Sequence, residues 1–307
     1  MKALVIRSTG SWYTVISHDN QKIECRLKGK LRLKGYHSTN PVVVGDMVTL
    51  EKSESADYVI KEVYDRKNQM VRLSPRHKHM KHVIAANIDM AILLVTISKP
   101  RTSTGFIDRY LVVAEEFSVP VTIVFNKIDL LKEKEHKKLD EIIERYSNCG
   151  YPCLKTSAAK NTGIDEVKKI IKGKICLISG YSGVGKSTII NAIYPELNIK
   201  TAEISKQTGK GKHTTTYAEM HQMPFGGYLI DTPGTKEFAL PEIDPRTLSH
   251  HFPEMVPYLQ YCKFNNCNHV NEPDCAVKDA VSDGQIDFNR YESYLSMLSE
   301  LQLKNLY

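Results

Sequence analysis

Three groups of residues in this chain have types and spacings suited to chemistry. Gly180-Tyr181-Ser182-Gly183-Val184-Gly185-Lys186-Ser187 fits G-x-x-x-x-G-K-[ST] at every fixed position. Glycines at these places let backbone N–H groups close around phosphates, and Lys186 adds a full charge against the β- and γ-phosphates. The Ser187 hydroxyl suits Mg²⁺, and Thr188 carries the loop into a helix. Asn126-Lys127-Ile128-Asp129 reads N-K-x-D, the guanine-reading pattern. Asp129 accepts hydrogen bonds from guanine N1–H and the exocyclic amine. Adenine has no donor at either place, so a buried Asp129 would be left unpaired against it. Asn126 donates towards the base and ties loops together. Cys262, Cys267, His269 and Cys275 follow C-x4-C-x-H-x5-C. Three thiolates and one imidazole so close together form a closed tetrahedral Zn²⁺ set, one ion per chain, structural because no coordination position stays open. Cys25, Cys149, Cys153 and Cys176 have no such company.

The elements around these groups follow from pattern. Residues 174–179 read as a buried strand and 188–193 as the first turns of a helix, the context a phosphate loop needs. Buried-strand runs at 90–95 and 121–125 flank a helical pattern at 107–117, and the second run ends on Asn126. A charged amphipathic helix is expected over 134–146. A strand then leads to Thr156-Ser157-Ala158, a second guanine-side loop, and 164–171 reads as another helix. Downstream of the phosphate loop lies a polar, acid-free stretch, 208–216. Thr215 is its candidate for completing Mg²⁺ coordination, though Thr214 and Thr216 offer the same hydroxyl. The strand at 228–230 ends in Asp231-Thr232-Pro233-Gly234. This D-x-x-G places an acid near Mg²⁺ and the Gly234 N–H near the γ-phosphate. The order is base motif, base loop, phosphate loop, switch I, switch II: a complete GTPase domain, circularly permuted, on a doubly wound α/β sheet. Switch II then runs directly into the C-terminal module, so loss of the γ-phosphate is expected to move that module. Thr235 stands where many signalling GTPases carry a water-orienting Gln, which implies slow intrinsic hydrolysis. His213 is the candidate to orient the water. Gly183 occupies a position where potassium-using relatives carry Asn, so no strict K⁺ requirement is expected.

Bulk properties bound the rest. The 307 residues suggest more than one domain, and 41% hydrophobic with 25% charged residues is ordinary for a globular protein. No run approaches a membrane span and the N-terminus shows no secretory pattern, so a cytoplasmic monomer without membrane contact is expected. Net charge is +7. Short β-type runs at 5–6, 12–16, 23–25, 42–44, 47–50 and 58–60, separated by turn residues, predict a small five-stranded OB-type barrel over residues 1–70. Its densest charge is Arg26, Lys28, Lys30, Arg32 and Lys34, alternating with Leu and Gly. An extended strand puts all five on one face. A solvated outer face would also tolerate such charge, but a single sign on a barrel of this type favours RNA phosphates. Residues 71–90 read as a junction, with Arg76-His77-Lys78-His79-Met80-Lys81-His82 as a basic linker rather than a metal site. The GTPase domain covers 71–240. Residues 241–307 form a zinc-binding helical module, ending in a helix whose apolar stripe is Tyr291, Tyr294, Leu295, Leu298 and Leu301.

With these pieces in place, the chain resembles the RsgA (YjeQ/YloQ) family of bacterial small-ribosomal-subunit biogenesis GTPases over essentially its whole length. The resemblance rests on the run from Ser8 to Tyr13, Lys30-Leu31-Arg32, the segment from His82 to Asp89, the permuted motif order, Gly211-Lys212-His213-Thr214-Thr215-Thr216 and the Cys/His spacing. It implies binding to the immature small (30S) subunit and its rRNA near the decoding region. It also implies subunit-stimulated GTP hydrolysis to GDP and help with late maturation and factor release. Lys212 stands where many members carry Arg. Two other readings compete: a permuted GTPase of the large subunit, and an RNA-binding scaffold that senses GTP without hydrolysing it.

Overall fold

The computed structural model describes residues 1–28, 41–53, 57–73, 81–199, 218–232, 240–241 and 243–304. Lys30, Arg32, Lys34, the 76–80 tract, His213, Thr215 and Gly234 lie outside the described residues.

The N-terminal strands are β1 (Lys2–Ser8), β2 (Tyr13–Ser17), β3 (Lys22–Leu27), β4 (Met47–Lys52) and β5 (Tyr58–Val63). They pair β1–β2–β3–β5–β4, and β4 returns to β1, so the sheet closes on itself. Strand alternation sends Ala3, Val5, Tyr13, Val15, Cys25, Val48, Leu50 and Ile60 into one core. This is the expected small barrel. Closure satisfies its strand edges, which an isolated five-stranded sheet would leave open.

Two expectations in this region need correction. Val42, Val43 and Val44 are not a strand. They are buried in three different clusters: Val42 in the barrel, Val43 against the next hairpin, Val44 in the main core. A turn is what lets three successive side chains diverge in this way. Gly45, at φ +94°, makes that turn, and a Cβ there would meet the Ala86 carbonyl oxygen at 2.0 Å. The Asp46 carboxylate accepts the Val43 N–H at 2.8 Å and is held by Arg66 at 2.7 and 2.8 Å in a buried pair. Nor does the expected linker run as far as His82: Lys81 and His82 already belong to β7 (Lys81–Ala86), which pairs antiparallel with β6 (Gln69–Leu73), and the pair buries Met70, Val71, Val83, Ala85 and Ala86.

The central sheet adds β8 (Met90–Val95), β9 (Val121–Phe125), β10 (Cys153–Lys155), β11 (Ile175–Gly180), β12 (Glu219–Gln222) and β13 (Tyr228–Asp231). Their order is β10-β9-β8-β11-β13-β12, parallel except for β12. The chain winds outward from β8 to β10, returns to the centre at β11, then crosses to β12 and comes back to β13 between them. The crevice where the strand order reverses lies at the carboxyl ends of β8 and β11, the place a doubly wound sheet offers a ligand. Helices α1 (Thr104–Glu116) and α2 (Glu133–Asn148) cover one face; α3 (Ile164–Ile171) and α4 (Lys186–Ile193) cover the other. Both faces are buried, which is why β8, β9 and β11 read as continuous apolar runs. At Arg7–Glu219, β1 also pairs with β12, so the barrel and the central sheet are hydrogen-bonded together.

The C-terminal module comprises a 3-10 segment (Pro245–His251), α5 (Val256–Leu259), α6 (Ala276–Ser282) and α7 (Phe288–Lys304). The predicted stripe on α7 is present: Tyr291, Tyr294, Leu298 and Leu301 are buried, and Leu295 packs at their margin. Arg290 is fully buried as well. It binds Asp108 of α1 at 2.6 Å and Glu254 at 2.7 Å, between the rings of Phe252 and Tyr146. Burial disfavours the charge, but these two carboxylates outweigh it and hold the guanidinium pKa well above its ordinary value. Arg109–Glu300, Arg145–Asp287 and His251–Glu116 extend the contact. The module is therefore seated on α1 and α2. Among the described residues no helix is long and apolar enough to cross a membrane.

Candidate nucleotide site and metal centre

The two sequence motifs, 54 positions apart from Asn126 to Gly180, meet at the crevice. The strand β11 ends at Gly180, Tyr181-Ser182-Gly183-Val184-Gly185 turn back, and Lys186, Ser187 and Thr188 open α4. On the neighbouring side β9 ends just before Asn126. That side chain is buried and donates to the Val184 carbonyl at 2.9 Å. Gly185, at φ +99°, lies so close that a Cβ would meet the Asn126 amide nitrogen at 2.6 Å. Glycine is needed there both for conformation and for space. Lys127 donates to the Gly183 carbonyl at 2.7 Å and to the Lys99 carbonyl at 2.8 Å. The base motif thus braces the phosphate loop before any ligand arrives.

The second guanine-side loop joins the same network. Asn126 Oδ1 accepts from the Thr156 hydroxyl at 3.2 Å and from the Ala158 N–H at 3.3 Å. The Ile128 N–H donates to the Thr156 carbonyl at 3.2 Å. The Ser157 hydroxyl donates to the Asp129 carboxylate at 2.5 Å, fixing its orientation. Asp129 itself is exposed at the mouth of the crevice. The discrimination expected from a buried acid therefore requires the base itself to cover it.

Electrostatics concentrate on the phosphate side. Burial pulls the Lys186 pKa down, opposed by Asp231, which ends β13 beside β11. The same pattern holds for Lys127, lowered by burial and opposed by Asp129. Ammonium groups disfavoured by burial gain most from an incoming anion. Asp231 is buried, and its neighbour Thr232 donates to the Ile178 carbonyl at 2.9 Å. A buried carboxylate close enough to act on Lys186 is the hard oxygen donor type that Mg²⁺ takes.

Sequence reasoning missed the wall of this site. Pro100 lies 3.5 Å from where a Gly183 Cβ would sit, and Phe106 meets Tyr181 edge-on at 5.9 Å. The buried Tyr110 side chain lies beside Ser179, one residue before the loop. These residues come from the β8–α1 turn and from α1, and no motif marks them.

Cys262, Cys267, His269 and Cys275 converge, with all four ligand atoms within 4.8 Å of one another. Cys262 Sγ and Cys275 Sγ lie 3.6 and 3.4 Å from His269 Nδ1. The Cys267–Cys275 and Cys262–Cys275 sulfur pairs are 3.6 and 4.0 Å apart. A tetrahedral ion with metal–sulfur bonds of about 2.3 Å has sulfur–sulfur edges of roughly 3.8 Å, so the residues fit such a group. Burial lowers the His269 pKa, which keeps the imidazole in its neutral, ligating form. Burial also pushes the Cys267 thiol up to about 12, so a cation is needed to hold the thiolate. The loop is set from outside. Glu272 accepts the N–H groups of Asn268, Val270 and Asn271, and the Tyr291 and Tyr294 hydroxyls donate to the carbonyls of His269 and Asn268. Glu272 has no place in the ligand spacing, and its role emerges only in the folded loop.

Two family models match the chain from residue 2 to residue 241. The RsgA N-terminal domain family matches residues 2–60 and the RsgA GTPase family matches residues 63–241. A small ribosomal subunit biogenesis GTPase RsgA from Phocaeicola vulgatus is 49% identical over 300 residues, covering 98% of this chain and 97% of the relative. The Flavobacterium johnsoniae protein of the same name is 46% identical over 301 residues, covering 97% and 93%. Among solved structures, YjeQ from Thermotoga maritima is 38% identical with a TM-score of 0.79, covering 98% of both chains. YloQ, described as a circularly permuted GTPase, is 26% identical with a TM-score of 0.73, covering 99% and 95%.

Proposed function

Because the chain belongs to the RsgA family of circularly permuted GTPases, we propose that it binds the immature small ribosomal subunit and assists its late maturation. Hydrolysis of GTP would be stimulated by that subunit and coupled to release. The observation that carries this reading is the braced pairing of Asn126 and Lys127 with the phosphate loop, between a barrel and a Cys3His module. In this reading three domains divide the work: 1–70 for rRNA, 71–240 for GTP and 241–307 for seating on the subunit, all in the cytoplasm.

Asp129 reads guanine, with Asn126, Lys127, Ile128, Thr156, Ser157 and Ala158 shaping the base side. The segment 180–188 takes the phosphates, with Lys186 against the developing charge. Mg²⁺, when bound with GTP, neutralises phosphate charge; Ser187, Thr215 and Asp231 would hold it, and the Gly234 N–H would meet the γ-phosphate. His213 orients the attacking water in place of a glutamine.

Turnover of GTP by the whole protein, with and without purified small subunits, tests the scheme. We expect at least tenfold stimulation by small subunits and none by large ones. That stimulation should be lost in His213→Ala and kept when Na⁺ replaces K⁺. Equal turnover with and without small subunits would refute the scheme, and no turnover in either case would leave a GTP-sensing scaffold, a reading that Thr235 keeps open.

We assign the Cys3His ligands to structural Zn²⁺. A zinc-selective chelator with Mg²⁺ kept in excess is expected to open the C-terminal module first, so limited proteolysis should cut within 255–285 while GTP still binds. Loss of GTP binding before any such cleavage would refute a structural ion.

A further inference from the structure

Trp12 is the only tryptophan of the chain, and it is 44% exposed. The Arg26 guanidinium lies over its ring, 3.7 Å from the centroid. The arrangement follows from register. Tyr13 pairs with Cys25, and both point into the barrel core. One step further, Trp12 stands opposite Arg26 and both must point outward. The turn that presents Trp12 is itself ordered: its carbonyl accepts the Thr9 N–H at 3.0 Å and the Thr9 hydroxyl at 3.1 Å, and the Tyr13 hydroxyl reaches the Gly10 carbonyl at 3.3 Å. Neighbouring charged groups have partners within the barrel. Lys28 pairs with Glu51 at 2.7 Å, and Glu24 accepts the Thr14 hydroxyl at 2.6 Å. Among the described residues Arg26 has no carboxylate partner in an ion pair. A solvated lysine-and-arginine face explains neither a large exposed aromatic ring nor an arginine laid flat on it.

We propose that Trp12 and Arg26 form a stacking platform for one unpaired base of single-stranded RNA. The inference rests on the barrel being the rRNA-binding domain and adds which chemistry of RNA it takes. The β2–β3 side and the loop before β2 are where barrels of this architecture take oligonucleotides. Each base offers a π-face, so a ring already flanked by a guanidinium binds any unpaired base and rejects a paired one, whose faces are covered. Phosphate contacts contribute affinity and salt dependence without regard to pairing. The pair selects for a strand whose bases are free.

The tryptophan supplies its own readout. The full-length protein is titrated with a labelled ten-nucleotide single-stranded RNA and with a blunt duplex of the same sequence, following Trp fluorescence and RNA polarisation. The single strand should quench Trp12 saturably and the duplex should not. Trp12→Ala should weaken single-strand binding about five- to hundredfold, with the slope of log K against log salt unchanged. Trp12→Phe should recover most of it, which separates stacking from misfolding. If the single strand binds by polarisation with no quenching, and Trp12→Ala and Trp12→Phe bind as the parent does, stacking is overturned while the barrel remains an RNA-binding domain. If neither RNA binds the parent protein at low salt, both readings fall.

Discussion

Asp129→Asn is expected to weaken GTP binding roughly a hundredfold and to turn base preference towards xanthine. The carboxylate accepts two hydrogen bonds from guanine, and bonds to a charged group contribute about 1.5–3 kcal/mol each. The exposure of Asp129 in the open crevice favours the lower end, about 3 kcal/mol for the pair. The amide keeps an acceptor for the Ser157 hydroxyl, so the loop should hold its shape. It also offers a donor that xanthine's second carbonyl can take. Competition of GTP and XTP against a fluorescent guanine nucleotide reads the switch directly. If GTP binds the variant as well as the parent, Asn126–Asp129 is not the base site.

Arg290→Ala should be the most destabilising of the single substitutions considered. It leaves Asp108 and Glu254 buried without their cation, and breaking a buried pair in this way costs about 3–5 kcal/mol. Asp108 would keep only the hydroxyls of Tyr146 and Ser293. Thermal unfolding should fall by roughly 6–20 °C. Arg246→Ala, which breaks the exposed pair with Asp244, should not move it measurably and serves as the control. Equal behaviour of the two variants would mean that the C-terminal module does not depend on this contact. The same clamp bears on signalling. With Arg290 bound to α1, and Phe106 and Tyr110 of that helix against the phosphate loop, the module is coupled to the nucleotide site from behind. A displacement of the module driven from switch II alone would have to break a buried ion pair.

What could be read in the sequence divides along physical lines. The phosphate loop, the guanine motif and the Cys/His set were legible because their chemistry restricts residue type at fixed spacing. The barrel and the permuted sheet followed from periodicity. Val42–Val44 misled because β-branched apolar residues report burial as much as pairing, and here each valine serves a different cluster. The β6–β7 pair was obscured by its basic connection, although Val71, Val83 and Ala85 had the inward positions. Arg290 gave no signal, since its partner Asp108 is 182 positions away and a charged residue beside an apolar stripe looks solvated. Nothing local distinguishes Pro100 or Phe106 as part of a nucleotide site, because only the fold brings them to Gly183 and Tyr181.

The strand order also fixes a timetable for synthesis. The barrel's ladder is complete once β5 has been made, so this part has its partners early. The strands β8, β9 and β10 come next and pair with one another, but the edge of β8 that faces β11 has no neighbour until residues 175–180 exist. The joint of Arg7 with Glu219 spans most of the chain, and such distant closures are the slow ones. Guanine-reading residues are therefore translated, and partly housed, before there is anything to hold a phosphate. A nascent chain of this design passes through a stage with an open apolar strand edge at its centre, the kind of edge that invites wrong pairing. Completion of β11 and α4 covers that edge and creates the phosphate loop in the same step, so the phosphate loop exists only once the β8 edge is paired.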